Sequence, residues 1–355
     1  MTVRHVTGAT GAPAGEYAAD VVILSFDRPE ETIAALQSAL AQTGVSRHVF
    51  VVDQGSRPET LAKLAAIVAG RTDATLVALD HNHGVAGGRN RGSSLGHGRV
   101  IFGLDNDAEF ASPTTLAHAV AALEADATLA AIGCRILLYS NNADDLSSWG
   151  YPTTLLPHAA ETFDAVTFVG AGHAIRRSAW HACGGYDDAL YFCWEEFDFC
   201  LRAIHAGWRI RYHGDIEIRH KVSTERRFAW SGTRWFYFVR NRLYIGRKWH
   251  ASWLSLSPRY AGYLLKAARN GMLMQTLRAL PAAARLASRA TPQRHSIAMR
   301  AYMRINDAPH RALWFTRPWH DGPNLRLAQL SEPQPARGNL RSRSSNGTIA
   351  GLSIR

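Results

Sequence analysis

At 355 residues, 46% of them hydrophobic and 19% charged, the chain can bury one large core or two modest ones. Composition excludes a disulfide scaffold, since Cys134, Cys183, Cys193 and Cys200 show no dense or metal-type spacing and read as buried thiols of a reducing cytoplasm. No segment reads as a transmembrane helix, since no apolar run reaches roughly 18 residues, and Met1 to Ala19, without a secretory apolar core, read as a loose polar arm.

The net charge of +11 hides a split. Residues 1–218 hold 15 Lys and Arg against 25 Asp and Glu, a net −10, and residues 219–355 hold 25 against 4, a net +21. Such asymmetry points to an acidic catalytic part and a basic part facing a polyanion or an anionic membrane surface.

Residues 1–18 read as a disordered polar arm. Asp20 to Phe26 (DVVILSF) reads as a buried strand, and Arg28-Pro-Glu-Glu opens a helix to about Ala41 with Pro29 in its first turn. His48 to Val52 is a second strand ending in Asp53-Gln-Gly-Ser, Pro58 to Ala69 a helix, and Ala74 to Leu79 a third strand. The glycine-rich run His81 to Gly92 leads into another helix, and Arg99 to Leu104 is a fourth strand. This alternation predicts an α/β fold with a mainly parallel sheet and helices on both faces. Ligands of such sheets bind beyond the carboxyl ends of strands, where Asp27, Asp53, Gly84 to Arg91 and Asp105 fall.

The fourth strand runs into Asp105-Asn106-Asp107. Carboxylates two apart in an extended segment project to one side and can share a hard cation, Mg2+ or Mn2+, with substrate phosphates; a simple turn would use the same residue types. The spacing of Gly84, Gly87, Gly88 and Gly92 fits neither the dinucleotide nor the P-loop pattern, yet with Arg89 and Arg91 it admits a diphosphate; a tight helix entry is the plain alternative.

Pro113 to about Ala125 is a helix, Leu129 to Leu138 a strand, Asn141 to Thr162 a polar loop over the site, and Val166 to Ala171 a strand ending in Gly170-Ala171-Gly172-His173. Ile175-Arg-Arg-Ser-Ala-Trp then opens a short helix. In Trp194 to Arg202, a helix from Glu195 puts Glu195, Asp198 and Arg202 on one face and Glu196 on the next. The flanking aromatics would raise carboxylate pKa values and suit one as a base, or be plain core. Two extended pieces, Arg209 to Tyr212 and Ile216 to Ile218, lead to His220, a third metal ligand if it is not structural.

From Ser231 onward, aromatic and apolar residues alternate with Arg at helical spacing through Leu286. Residues 226–330 therefore read as basic amphipathic helices, lying on anionic lipid or packed on the sheet, with no nucleic-acid module. Residues 331–355 read as a disordered tail.

The succession VVILSFDRP, VVDQGS, HNHGVAGGRNRG, LDNDAEF, GAGHAIRRSAW and GGYDDALYFCWEEFDFCLRAIHAGWRI, then a strand ending at His220, resembles the family 2 glycosyltransferases of the GT-A fold over about residues 20–250, nearest to bacterial rhamnosyl- and galactofuranosyl-type members. The resemblance implies a catalytic domain over residues 19–225. In it Asp53 would contact the base or ribose of the donor nucleotide, with Ser25, Asp27 and Arg28 beside it. Gly84, Gly88, Arg89 and Asn90 would frame nucleotide and diphosphate, joined by Asn106. Asp105 and Asp107 would form the metal-binding D-x-D element, with His220 the metal-binding histidine of some members. Glu196 matches the usual catalytic base with Glu195 adjoining it, and Gly170, Ala171, Gly172, Trp194 and Asp198 would line the sugar or acceptor pocket.

Family members commonly carry Glu-Asp or Asp-Asp where this chain has Glu195-Glu196, and often Asn where it has Asp27. The implied activity is metal-dependent, inverting transfer from a UDP- or dTDP-sugar to a glycan or lipid-linked acceptor of cell-envelope polysaccharide synthesis, in the cytoplasm or at the inner face of the membrane. A non-catalytic basic binding protein on the same fold and a sugar nucleotidyltransferase are the rivals.

Overall fold

Strand and helix follow from two periodicities, unbroken β-branched runs and apolar residues every third or fourth position. The structure, a computed structural model, describes residues 3–221 and 232–306, all within one compact unit, Met1–Arg317. Its sheet has ten strands: β1 (Arg4–Gly8), β2 (Ala19–Ser25), β3 (Arg47–Asp53), β4 (Ala74–Ala78), β5 (Val100–Leu104), β6 (Ala108–Phe110), β7 (Leu129–Leu138), β8 (Thr162–Ala165), β9 (Gly172–Arg176) and β10 (Arg209–His220). They lie in the order β1-β4-β3-β2-β5-β9-β7-β10-β6, with β8 also on β10.

The quartet β4-β3-β2-β5 is parallel, as its almost wholly buried sequences require. Beyond it the sheet is mixed: β9 runs antiparallel between β5 and β7, β7 and β10 are parallel, and β6 and β8 are antiparallel to β10.

The helices are α1 (Pro29–Leu40), α2 (Pro58–Val68), α3 (Gly84–Ser93), α4 (Thr115–Ala125), α5 (Arg177–Cys183), α6 (Glu195–His205), α7 (Gly232–Lys248), α8 (Trp253–Arg269), α9 (Leu273–Ala287) and α10 (Ile297–Asn306). Alternate residues of a strand face opposite ways, and β2 divides accordingly. Val21 and Ile23 pack with Leu36 of α1, Leu64 of α2 and Leu116 of α4. Val22 belongs to a second core with Ala86 of α3, Trp180 of α5, Phe199 of α6, Trp235 and Leu243 of α7, Tyr263 of α8 and Met299 of α10.

Several expectations are corrected. The arm 1–18 is not disordered throughout: Arg4–Gly8 adds an antiparallel edge strand to β4, because an open edge of backbone N–H and C=O groups pairs even a short segment. Residues 166–171 are not a strand; pairing begins at Gly172. The two pieces 209–212 and 216–218 are one strand, β10, whose pairing with β7 shifts between His213 and Glu217. The run Gly84 to Arg91 is no open loop but most of α3. Of the two readings left open for the basic C-terminal region, α7 takes the packed one, burying Trp235, Val239, Asn241 and Leu243. Ser231 and the tail 331–355 lie outside the described residues.

Candidate active site

β5 delivers Asp105 to the carboxyl edge of the parallel quartet, and the Asp105 backbone N–H donates to the Ala171 carbonyl (3.1 Å). A tight turn, with the Ala108 N–H donating to the Asp105 carbonyl (3.0 Å), then folds the chain into β6. The two carboxylates consequently meet different partners. Arg89 Nη2 donates to Asp105 Oδ1 (2.9 Å), and Arg28 Nη1 donates to Asp107 Oδ2 (2.8 Å). Asp107 is buried, whereas the Asp105 side chain is 39% exposed and open to a ligand.

β6 pairs with the end of β10, His220 opposite Ala108, which sets His220 Nε2 3.3 Å from Asp107 Oδ1. The other ring nitrogen, Nδ1, lies 2.7 Å from Asp145 Oδ2 and 3.3 Å from Ser148 Oγ. Asp145 also accepts from the Ser147 N–H (3.0 Å), Ser147 Oγ (2.5 Å) and Ser148 Oγ (2.7 Å). Burial pushes the Asp145 carboxyl up, but the hydrogen bonds from His220, Ser147 and Ser148 outweigh it and hold the group at about 2.

Carboxylates with an imidazole whose far nitrogen is held by a carboxylate form the donor set and backing of a divalent-metal site. Asp105, Asp107 and His220 fit Mn2+ or Mg2+ on that chemistry. Their donor atoms do not yet converge: among the described residues, the acidic and histidine atoms gathered within 4.8 Å of one another belong to Asp80, His81 and His83, after β4. Asp145 escaped the sequence reading because it sits in the polar stretch taken as a loop. The following Ser147-Ser148 was the visible signal, since Asp-x-Ser turns gather donors around one carboxylate.

At the start of α6, Glu195 is 3% exposed with Oε2 buried and lacking a hydrogen-bond partner, and Glu196 is half-buried. A Cβ added at Gly170 would collide with Glu196 Oε1, so this glycine lets the carboxylate lie against the backbone beside Ala171. Burial pushes Glu196 up to about 7; the Asp105 charge pushes the same way and Arg89 opposes it. Glu195 is raised too, by burial and then by the Glu196 charge. Glu196 is thus a carboxylate poised near neutrality within the field of the metal-type residues.

The remaining candidates divide. Ser25 Oγ is buried without a hydrogen-bond partner, and Asn106 Nδ2 reaches Thr32 Oγ1 at 3.4 Å. Asp53 accepts from the N–H groups of Gly55 (3.2 Å) and Ser56 (3.0 Å) and from Ser56 Oγ (2.5 Å), shaping the turn after β3. Asp27, at φ 49°, accepts from the Arg57 N–H (2.9 Å) at the entry to α2, and that bond leads in holding its carboxyl below the ordinary value.

Five expectations meet a different geometry. The first N–H groups of α3 do not open onto a diphosphate, because Val85 N–H donates to the Tyr191 carbonyl (2.6 Å); Gly84 leaves room for that carbonyl, and Gly88 for Gln54 Oε1. Asn90 Nδ2 donates to the Tyr186 carbonyl (2.8 Å) and Asp188 Oδ1 (2.5 Å), and its Oδ1 accepts from the Tyr186 N–H (2.8 Å), so it ties α3 to the segment before α6. Asp198 lines no pocket, being wholly buried and paired with Arg202 Nε (2.9 Å) and Lys248 Nζ (3.0 Å). Trp194 packs on Phe238 and donates Nε1–H to the Phe238 carbonyl (3.0 Å). Gly172 is packed under Ile218, within the sheet.

The sequence profile described as glycosyl transferase family 2 matches residues 20–183. The chain is 42% identical over 86 residues to the succinoglycan biosynthesis protein ExoO of Rhizobium meliloti (strain 1021), covering 24% of each protein. It is 26% identical over 227 residues to the O-antigen biosynthesis protein RfbC of Myxococcus xanthus, covering 58% of this chain and 17% of that one. The chain thus spans about a quarter or less of the length of the curated relatives it matches. Among solved structures, GalNAc-T7 with UDP, GalNAc and Mn2+ superposes with a TM-score of 0.53 at 17% identity, over 67% of this chain and 49% of that one, a likeness of fold.

Proposed function

We propose, from the match of residues 20–183 to the glycosyl transferase family 2 profile, that this chain is a transferase of that family, moving a sugar, with inversion, from a nucleoside diphosphate donor to a hydroxyl of a glycan or lipid-linked acceptor in envelope polysaccharide synthesis. The observation that carries this is the meeting of the Asp107–His220–Asp145 line with Glu196, whose carboxylate lies against Gly170 while the Asp105 N–H donates to the neighbouring Ala171 carbonyl. Asp105, Asp107 and His220 would hold Mn2+ or Mg2+, and such a cation neutralises the charge of a departing diphosphate. Arg28, partly exposed beside Asp107, can turn to phosphate oxygens, whereas the buried Arg89 stays on the Val22 carbonyl and Asp105.

Glu196 takes the proton from the acceptor hydroxyl as it attacks the anomeric carbon opposite the leaving group, which inverts that centre. A UDP- or dTDP-sugar is the proposed donor, with Ser25, Asp53 and Asn106 on the nucleotide side and Gly170 and Ala171 on the sugar side. The protein would work in the cytoplasm, with its basic helices on the anionic inner face of the membrane; no described helix is long and apolar enough to cross a bilayer.

Incubation with a panel of nucleotide sugars, with Mn2+ or EDTA, tests this against the rivals. Release of nucleoside diphosphate only with metal, falling at least about 100-fold in Glu196→Gln, is the expected result. Silence toward every donor favours a non-catalytic protein, and pyrophosphate formed from a sugar phosphate and an NTP favours a nucleotidyltransferase.

A further inference from the structure

The segment that aims Glu195 and Glu196 holds an unusual backbone. Tyr191 (φ 62°), Cys193 (φ 69°) and Trp194 (φ 73°) all lie in the left-handed region that side chains other than glycine avoid. Trp194 is the residue from which α6 starts, so this run sets where the two glutamates point. Such a conformation persists only where the surroundings hold it.

The carbonyls of this segment show what holds it. Arg240 Nη2 donates to the Ala189 (2.7 Å) and Leu190 (2.8 Å) carbonyls. Asn241 Nδ2, on a wholly buried side chain, donates to the carbonyls of Leu190 (2.9 Å), Phe192 (2.8 Å) and Cys193 (2.8 Å). The Tyr191 carbonyl takes the Val85 N–H, and the Trp194 carbonyl takes the Asp198 N–H (2.9 Å) of α6 itself. Every carbonyl from 189 to 194 is therefore engaged. Arg240 Nε also donates to Asn241 Oδ1 (2.8 Å), which fixes the amide so that its NH2 faces the carbonyls.

The same side of α7 continues the grip. Tyr237 stacks on Tyr191 at 5.0 Å between ring centroids, with the Arg240 guanidinium 4.6 Å from the Tyr237 centroid. One and two turns on, Tyr244 OH (2.8 Å) and Lys248 Nζ (2.9 Å) reach Asp187 Oδ2, and Lys248 also bridges to Asp198. Positions 237, 240, 241, 244 and 248 share one helical face.

We infer that Arg240 and Asn241 are positioning residues for the transfer reaction: α7 acts as a clamp that keeps the 189–194 segment in its left-handed path and thereby holds Glu196 against Gly170. The inference deepens the reading of Glu196 as base and rests on it. It gives the basic C-terminal region a part in catalysis that no contact with substrate would reveal.

Peptide-resolved hydrogen exchange of the full chain, its Asn241→Leu and Arg240→Met variants, and donor turnover on the same preparations test the clamp. Exchange at residues 189–198 is expected to accelerate roughly tenfold while β2–β5 keep their protection, with kcat falling roughly tenfold and donor KM staying within about threefold. Arg240→Lys, which retains a donor for the Ala189 and Leu190 carbonyls, should recover part of both losses. Unchanged exchange at 189–198 in Asn241→Leu and Arg240→Met overturns the inference. So does loss of protection spread across β2–β5 with kcat and KM moving together. If the wild-type protein uses no nucleotide sugar, the base assignment fails, and the exchange measurement alone still decides whether α7 holds the segment.

Discussion

His220 presents Nε2 to Asp107 because Asp145 and Ser148 occupy the neighbourhood of Nδ1, and an imidazole can offer a lone pair on one side only while it donates on the other. Asp145→Asn would weaken that hold without touching the metal-type residues themselves. Mn2+ affinity is expected to fall about 10- to 100-fold by calorimetry, with the fold unchanged by circular dichroism. An unchanged affinity would remove Asp145 from the site.

Glu196 supplies the pH dependence. Its folded value of about 7 exceeds the ordinary 4.5, so the metal-free native state binds this proton more tightly than the unfolded chain does. Between those two values stability contributed by the group declines as pH rises, while the fraction able to act as base increases. Turnover, which needs the cation, should accordingly climb with pH to a plateau, with a midpoint no higher than about 7. A cation that offsets the Asp105 charge would move this limb to lower pH, because that charge is one of the causes of the upward shift.

Among the elements, α3 shows how a glycine-rich run can mislead. Gly84 has φ 74°, and a Cβ there would strike both the Tyr191 carbonyl and its ring, whereas Gly70, at φ 72°, faces open space. Gly70→Ala should therefore cost only the left-handed backbone, roughly 1–2 kcal/mol, and Gly84→Ala measurably more in urea unfolding, since it must also displace Tyr191. Equal costs would mean that the α3–Tyr191 contact contributes nothing.

The strand quartet and its carboxyl-edge acids were legible because each is a local pattern, an apolar run followed by Asp. Asp198 was misread for the opposite reason. Its pairing with Arg202 follows from helical spacing, but the deciding partner, Lys248, comes from another helix. The left-handed segment was likewise invisible, for nothing in Tyr-Phe-Cys-Trp announces a backbone that only α7 sustains.

At the scale of the whole molecule, charge is segregated along the chain. Residues 232–306 contain fourteen Lys and Arg and no Asp or Glu. Their outer helices leave Leu254, Leu265, Met274 and Leu277 exposed, and Leu256, Tyr260, Leu280 and Pro281 line an apolar cavity of about 440 Å³ between α8 and α9. Like charge opposes pairing with a second copy, and a mainly aliphatic face with Trp253 at its start suits lipid better than nucleic acid. Flotation with vesicles containing anionic lipid is expected to carry the protein at low salt and less of it at high salt, with neutral vesicles carrying little. Absence of flotation at either salt would detach the basic helices from any bilayer.

The pairing of β6 with β10 gives the Asp107 carboxylate and the His220 imidazole a ruler. Asp107 and His220 come from distant parts of the chain, yet their spacing is counted off by ladder rungs, with His220 opposite Ala108. Because side chains alternate faces, adding or removing one residue between the irregularity near Glu217 and His220 would swing the imidazole through the sheet, away from Asp107 and Asp145. A change of length over those last few rungs is therefore forbidden.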